Sequence, residues 1–115
     1  MMIKEETLYR VIDTYIEKEI APLSNGTSQI NQLLFGFQVG ILRRKAKTLI
    51  SQYIESPVAK TMGLIDEQNQ VDIDTLYGAL SDAMTSQGNI ELMGVKFTTQ
   101  DVNKLYSMLK EASNE

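Results

Sequence analysis

Neither cysteine nor histidine occurs anywhere in this chain of 115 residues. Without cysteine there is no disulfide and no thiolate chemistry, and an intracellular origin is the expectation, because disulfides belong to oxidising compartments. Without histidine the chain lacks the commonest general base and the commonest metal ligand. Catalysis would have to run on Asp, Glu, Lys or Tyr alone, and nothing in the sequence pairs them. Phosphate-cradling glycine loops and nucleophile motifs are missing as well. Positive charge is scarce, since eleven Lys and Arg stand against fifteen Asp and Glu, for a formal net charge of −4. A generic nucleic-acid binder presents a basic surface instead. The opening Met1-Met2-Ile3-Lys4-Glu5-Glu6 puts acids where a signal peptide carries its apolar run. The reading is a single-domain cytoplasmic protein, with no enzyme activity, no cofactor and no metal expected.

What the chain does have is helical periodicity. Residues from about Ile3 to Ala21 place Leu8, Val11, Ile12, Tyr15, Ile16 and Ile20 at 3–4 spacing, with charges between them. Pro22 and the polar run Ser24 to Ser28 end that helix, and Thr27 or Ser28 is positioned to cap the next. The second helix, about Ser28 to Glu55, is apolar almost all the way round between Leu33 and Leu42. A helix without a polar face must be covered on several sides. Either the other helices wrap it or a second copy of the chain packs on it. Gly36 and Gly40 lie one turn apart and would let a neighbouring backbone approach closely. The run is ten residues, against the roughly 20 that a bilayer requires, so no membrane span is expected. Leu33, Phe35, Gly36, Phe37, Val39 and Gly40 are therefore the candidate residues for contact with a partner.

The remainder reads as a short turn at Val58–Gly63, a third helix from Asp72 to about Ser86, a hairpin, and a last helix from Thr98 or Thr99 to about Ala112. Val71 is placed at or beside a short strand. With Met93-Gly94 as the hairpin loop, Leu92 faces Val95, Glu91 faces Lys96 and Ile90 faces Phe97, so apolar meets apolar and acid meets base. A slip of one residue would destroy both matches. The two flanking helices repeat a phrase. Asp72-Ile73-x-x-Leu76-Tyr77-x-x-Leu80-x-x-Ala83 returns 29 residues later as Asp101-Val102-x-x-Leu105-Tyr106-x-x-Leu109-x-x-Ala112. The shared stripe predicts that both helices face one core, with Ile90, Leu92, Val95 and Phe97 laid against them. The fold class is mainly α (α+β). It combines an N-terminal helical hairpin, residues 1–56, with a helix–β-hairpin–helix unit, residues 57–115, in one compact domain.

Three chemical readings compete with plain architecture. Asp66, Glu67, Asp72 and Asp74 surround a turn, but a calcium loop counted from Asp66 finds Val71 where glycine is needed and Tyr77 where the bidentate Glu belongs. A solvated turn followed by a helix cap is the simpler account. Arg43, Arg44, Lys45 and Lys47 hold four of the eleven basic residues within five positions, and such a patch can bind phosphate even on an acidic protein. They spread over more than half the helix circumference, with no interleaved aromatics to stack on bases. A helix followed by a hairpin also invites a winged-helix reading. Its recognition helix would carry Asp72, Asp74 and Asp82 and no base, which phosphates would repel. Tyr77 and Tyr106 are read as stripe residues with their hydroxyls at the edge of the core.

In the C-terminal half, Met62-Gly-Leu-Ile-Asp-Glu, Val71-Asp-Ile-Asp-Thr-Leu-Tyr77, Gly94-Val-Lys-Phe-Thr98 and Asp101-Val-Asn-Lys-Leu-Tyr106 together resemble small proteins of Gram-positive phages and prophages. The resemblance covers about half the chain and rests on caps, stripe positions and a turn. It implies a phage accessory or assembly role, in the host cytoplasm or the virion, and carries over no activity and no site residue. The functional expectation is a non-enzymatic protein that works by protein–protein contact and self-associates through its long helix. The alternative is a nucleic-acid-binding accessory protein that uses residues 43–47.

Overall fold

The computed structural model describes residues 1–88, 90–92 and 95–114, apart from the side chains of Gln87, Ile90, Glu91, Leu92 and Val95. The order is strand β1 (Met2–Lys4), helix α1 (Glu5–Tyr15), a π-helical turn (Ile16–Ile20), a 3-10 turn (Ala21–Ser24) and the long helix α2 (Gln29–Ile54). Then follow α3 (Pro57–Thr61), β2 (Gln70–Asp72), α4 (Ile73–Gln87), β3 (Ile90–Leu92), β4 (Val95–Phe97) and α5 (Thr99–Ser113). The protein is mainly helical with a small amount of antiparallel sheet.

Helix starts obey local chemistry. Ser28 accepts from the backbone N–H of Asn31, Ser56 from Ala59 and Asp72 from Asp74, each satisfying a donor with no partner inside its helix. At α5 the cap is reciprocal: Asp101 also accepts from the Thr98 N–H at 2.8 Å. The hairpin pairs Ile90 with Phe97, Glu91 with Lys96 and Leu92 with Val95, in the register that the alternation demands. The proposed Met93-Gly94 loop lies outside the described residues.

The first expected helix divides differently. Met2–Lys4 is a strand, paired antiparallel with Gln70–Asp72 so that Ile3 opposes Val71. Ile73 seals this junction by donating its N–H to the Met1 carbonyl at 2.9 Å. After α1 the helix widens into a π turn, where the Ala21 N–H reaches back five residues to the Ile16 carbonyl. Pro22, which has no N–H to donate, follows at once. Ile16 and Ile20 are both buried on this turn.

One apolar cluster joins both ends of the chain: Ile3, Leu8, Ile12 and Tyr15 from the N-terminal part meet Leu64, Val71, Ile73, Leu76 and Leu109. α1 lies chiefly against α5, and α4 against α5. The repeated stripe does share this core. Ile73, Leu76, Val102 and Leu109 are buried, with Leu80 and Leu105 packed at the margin. Tyr77 and Tyr106, at equivalent places in the repeat, stack with ring centroids 4.3 Å apart.

The radius of gyration is 14.8 Å, and the molecule measures 48 × 33 × 22 Å. A compact chain of this length would have a radius of about 13 Å. The excess is accounted for by α2, whose 26 residues span about 39 Å and outrun the core beneath.

Leu76 is 3% exposed at the centre of the α4–α5 contact, so Leu76→Ala should cost about 2–5 kcal/mol, the range for emptying a packed leucine site. Leu105→Ala, at the half-buried margin, should fall at or below the lower end of that range. Urea denaturation of the two variants would reveal the order, and an equal or reversed cost would contradict this account of the core.

Candidate interaction surface

Helix α2 has two apolar faces, and the chain covers only one of them. At 100° per residue, Phe35, Val39, Leu42, Ala46, Ile50 and Tyr53 fall on one side. Val39 and Leu42 are buried there, and the others pack half-buried against the core. On the opposite side Ile30, Leu33, Leu34, Phe37 and Ile41 repeat at 3–4 spacing and stand in solvent, 72%, 63%, 55%, 65% and 42% exposed. Of the candidate contact residues, the structure therefore turns Phe35 and Val39 inward, where the chain's own core uses them. Leu33 and Phe37 remain outward, and Ile30, Leu34 and Ile41 join them. A hydrophobic run read as apolar all round could not be divided in this way until the position of the core was known.

Gly36 and Gly40 border the outer stripe. A Cβ built at either position meets nothing within 4 Å. Each glycine weakens the helix interior by about 0.5–1 kcal/mol relative to alanine, and no contact within the chain requires its small size.

From Ala21 to Leu42 there is no charged residue. Charge resumes at Arg43, and the basic cluster then scatters. Arg43 pairs with Glu17 on the π turn, and its Nε is buried without a hydrogen-bond partner. Lys47 lies over the Tyr9 ring, 5.3 Å from its centroid. Arg44 and Lys45 are exposed and continue the outer stripe towards the C-terminus of α2. The four residues thus point in three directions and do not form one patch.

On the inner side of α2, a half-open cleft of about 190 Å³ separates its C-terminal half from α4 and α5. Leu42, Ala46, Leu49 and Ile50 form one wall. Leu80, Met84, Phe97, Val102 and Leu105 form the other, and Ile12, Tyr15 and Ile16 form the floor. α2 packs closely on α1, α3 and the two turns before it, but not on α4 or α5, which is why the cleft stays open. Its polar feature is Tyr15, whose hydroxyl donates to Asp101. Burial raises the Tyr15 hydroxyl above the ordinary phenol value, and the Asp101 carboxylate adds to the rise. Burial also works against ionisation of Asp101. Hydrogen bonds from Tyr15 and from the Thr98 N–H and hydroxyl outweigh it and hold the carboxyl below its usual range.

At the acidic turn, the Asp66 carboxylate already accepts from the Gln68 and Gln70 N–H groups, at 3.0 and 2.8 Å. No cluster of three potential metal ligands occurs among the described residues, and no described helix is long and apolar enough to cross a membrane. Comparison of the chain with known protein families, with curated proteins and with solved structures finds no match.

Two outcomes follow from this geometry. Gly40→Ala should raise the stability of the isolated chain by about 0.5–1 kcal/mol, read from the urea midpoint; a loss of stability would mean that a hidden contact occupies the site. Tyr15→Phe should cost about 1–2 kcal/mol at neutral pH through loss of a hydrogen bond to a carboxylate. Because the Asp101 carboxyl is lower in the folded state, its stabilisation is complete above the ordinary carboxylate pKa of about 4 and is lost as pH falls below that value. The variant should therefore lose less stability than the parent between about pH 6 and pH 3. Denaturation curves at the two pH values compare them directly.

Proposed function

We propose that this chain is a non-enzymatic assembly protein that acts by protein–protein contact and self-associates through the outer face of α2. The observation carrying this reading is the stripe Ile30, Leu33, Leu34, Phe37 and Ile41, held in solvent on a rigid, capped helix. Together these side chains expose on the order of 500 Å², near the upper end of what a monomer leaves bare without a use for it. Burying that area on each of two surfaces gives about 1,000 Å², the lower bound for a specific interface. Gly36 and Gly40 fit the same reading, since they weaken the helix and would let another chain come close. The absence of Cys and His from the sequence supports a role without catalysis. The likeness of the C-terminal half to small phage proteins supports a phage accessory or assembly role, with the host cytoplasm or the virion as its setting.

An interface at this lower bound belongs with weak, transient contacts, and micromolar association is worth about −8 kcal/mol. Sedimentation from about 1 µM to about 500 µM should therefore show mass rising with concentration. Phe37→Asp should weaken the association at least tenfold, yet leave folding stability within about 0.5 kcal/mol, because the replaced side chain touches little of its own chain. A single monomer mass across the whole range would sink the proposal.

A further inference from the structure

We infer that the self-association is head-to-tail: the outer stripe of one copy docks into the cleft between α2 and α4–α5 of the next. This rests on the self-association reading above and specifies its geometry. The chain carries two unsatisfied apolar features, one convex and one concave. The convex one presents Phe37, the most exposed aromatic side chain among the described residues. The concave one is a cleft of about 190 Å³, somewhat larger than a 150 Å³ apolar cavity that accepts benzene. A phenyl ring therefore fits.

Charge does not oppose the fit. The stripe belongs to a segment, residues 21–42, without a single charge, and its ridge would meet walls of leucine, isoleucine, methionine and phenylalanine. Asp101, the acid at the cleft, is already engaged by Tyr15 and Thr98. Pairing two stripes instead would cover the ridges and leave both clefts open to water.

A stripe cannot enter its own cleft. The stripe is carried by residues 30–41 of α2 and the cleft wall by residues 42–50, so their midpoints lie about 16 Å apart along one stiff helix. On that helix the two sets also point about 150° apart, at 100° per residue. The same divergence keeps one rigid partner from filling both sites at once, as a two-fold dimer with exchanged stripes would require. Contacts between unlike surfaces repeat until they close into a ring or extend as a filament. The partner is thus another copy of this chain, and each added copy presents a fresh stripe and a fresh cleft.

Complementation tests this. Phe37→Asp spoils the stripe and leaves the cleft intact. Leu49→Glu spoils the cleft mouth at a side chain that is 45% exposed, and Ala46→Phe, which fills the cleft, serves as a second variant. Wild-type protein should sediment as species larger than a dimer, and each variant alone as a monomer. An equimolar mixture of Phe37→Asp with Leu49→Glu should give a complex of twice the monomer mass and nothing larger, because only one good stripe and one good cleft remain. Circular dichroism and urea midpoints would show that each variant is folded. If the wild type assembles and both cleft variants assemble equally well, stripe pairs with stripe and the head-to-tail geometry is overturned while self-association stands. A wild type that stops at a dimer also overturns it. Benzene that binds the cleft and leaves assembly unchanged would assign the cleft to a small apolar ligand instead. A wild type that stays monomeric throughout removes both readings.

Discussion

A 26-residue helix laid on a 115-residue chain is longer than the core that can cover it. That constraint governs the rest of the molecule. An α-helix can turn about half its circumference towards one core, and the far side needs either charge or a partner. Here the inner side gives Val39 and Leu42 to the core, while the outer side is apolar over its first three turns and basic beyond them at Arg44 and Lys45. The N-terminal half of α2 is held chiefly through the turn that leads into it, and by the Arg43–Glu17 pair farther along. Its overhang makes the molecule elongated, and the gap between its C-terminal half and α4 and α5 leaves the cleft without a lid.

What could be read in advance follows the distance over which each determinant acts. Ser28, Asp72 and Thr98 cap their helices because a side-chain oxygen two or three residues from an unpaired N–H is sufficient. The hairpin register follows from three matched pairs within eight residues. The repeated stripe placed α4 and α5 on one core because both helices carry it and their connection is short. The β1–β2 pairing was illegible for the opposite reason. Met2-Ile3-Lys4 is too short to alternate visibly, Ile3 also suits the stripe of the following helix, and its partner Val71 is remote in sequence. The π turn was equally hidden, since Ile16 and Ile20 satisfy an α-helical spacing too. The sequence showed that α2 is apolar beyond one face, but the division of its apolar residues into inner and outer sets depends on where α1 lies. Val39 is consequently core, with Phe35 packed half-buried against it, and Ile30, Leu34 and Ile41 are surface.

The stacked tyrosines show how a structural pair can resemble a site. Tyr77 and Tyr106 occupy the same place in the repeat, so packing the two helices on one core brings their rings together. Tyr77 donates to Asn103 at 2.7 Å and Tyr106 donates to Asp74. The bond to Asp74, followed by burial, raises the Tyr106 hydroxyl above the ordinary phenol value, which moves it away from any role as a base near neutral pH. Each hydroxyl links one helix of the repeat to the other, and the pair latches α4 to α5 at the solvent edge. Tyr15 and Asp101 do the same between α1 and α5.

An exposed apolar stripe risks indiscriminate sticking, and the arrangement of polar groups around it limits the alternatives. Two stripes aligned in parallel would bring Arg44 and Lys45 of one copy against Arg44 and Lys45 of the other, and like charges at close range oppose that register. Asn31 and Gln38 flank the stripe with side chains whose hydrogen bonds to water would be lost in a broad, flat contact. A narrow ridge such as Leu33-Phe37 can enter a concave apolar site while those amides stay at the rim, still hydrated. A cleft walled by hydrocarbon over most of its area accepts such a ridge without stranding a polar group, because the polar pair it contains, Tyr15 and Asp101, already satisfies itself. The polar rim and the self-satisfied cleft thus favour a narrow contact over a broad one. This is how a surface can be both strongly apolar and selective.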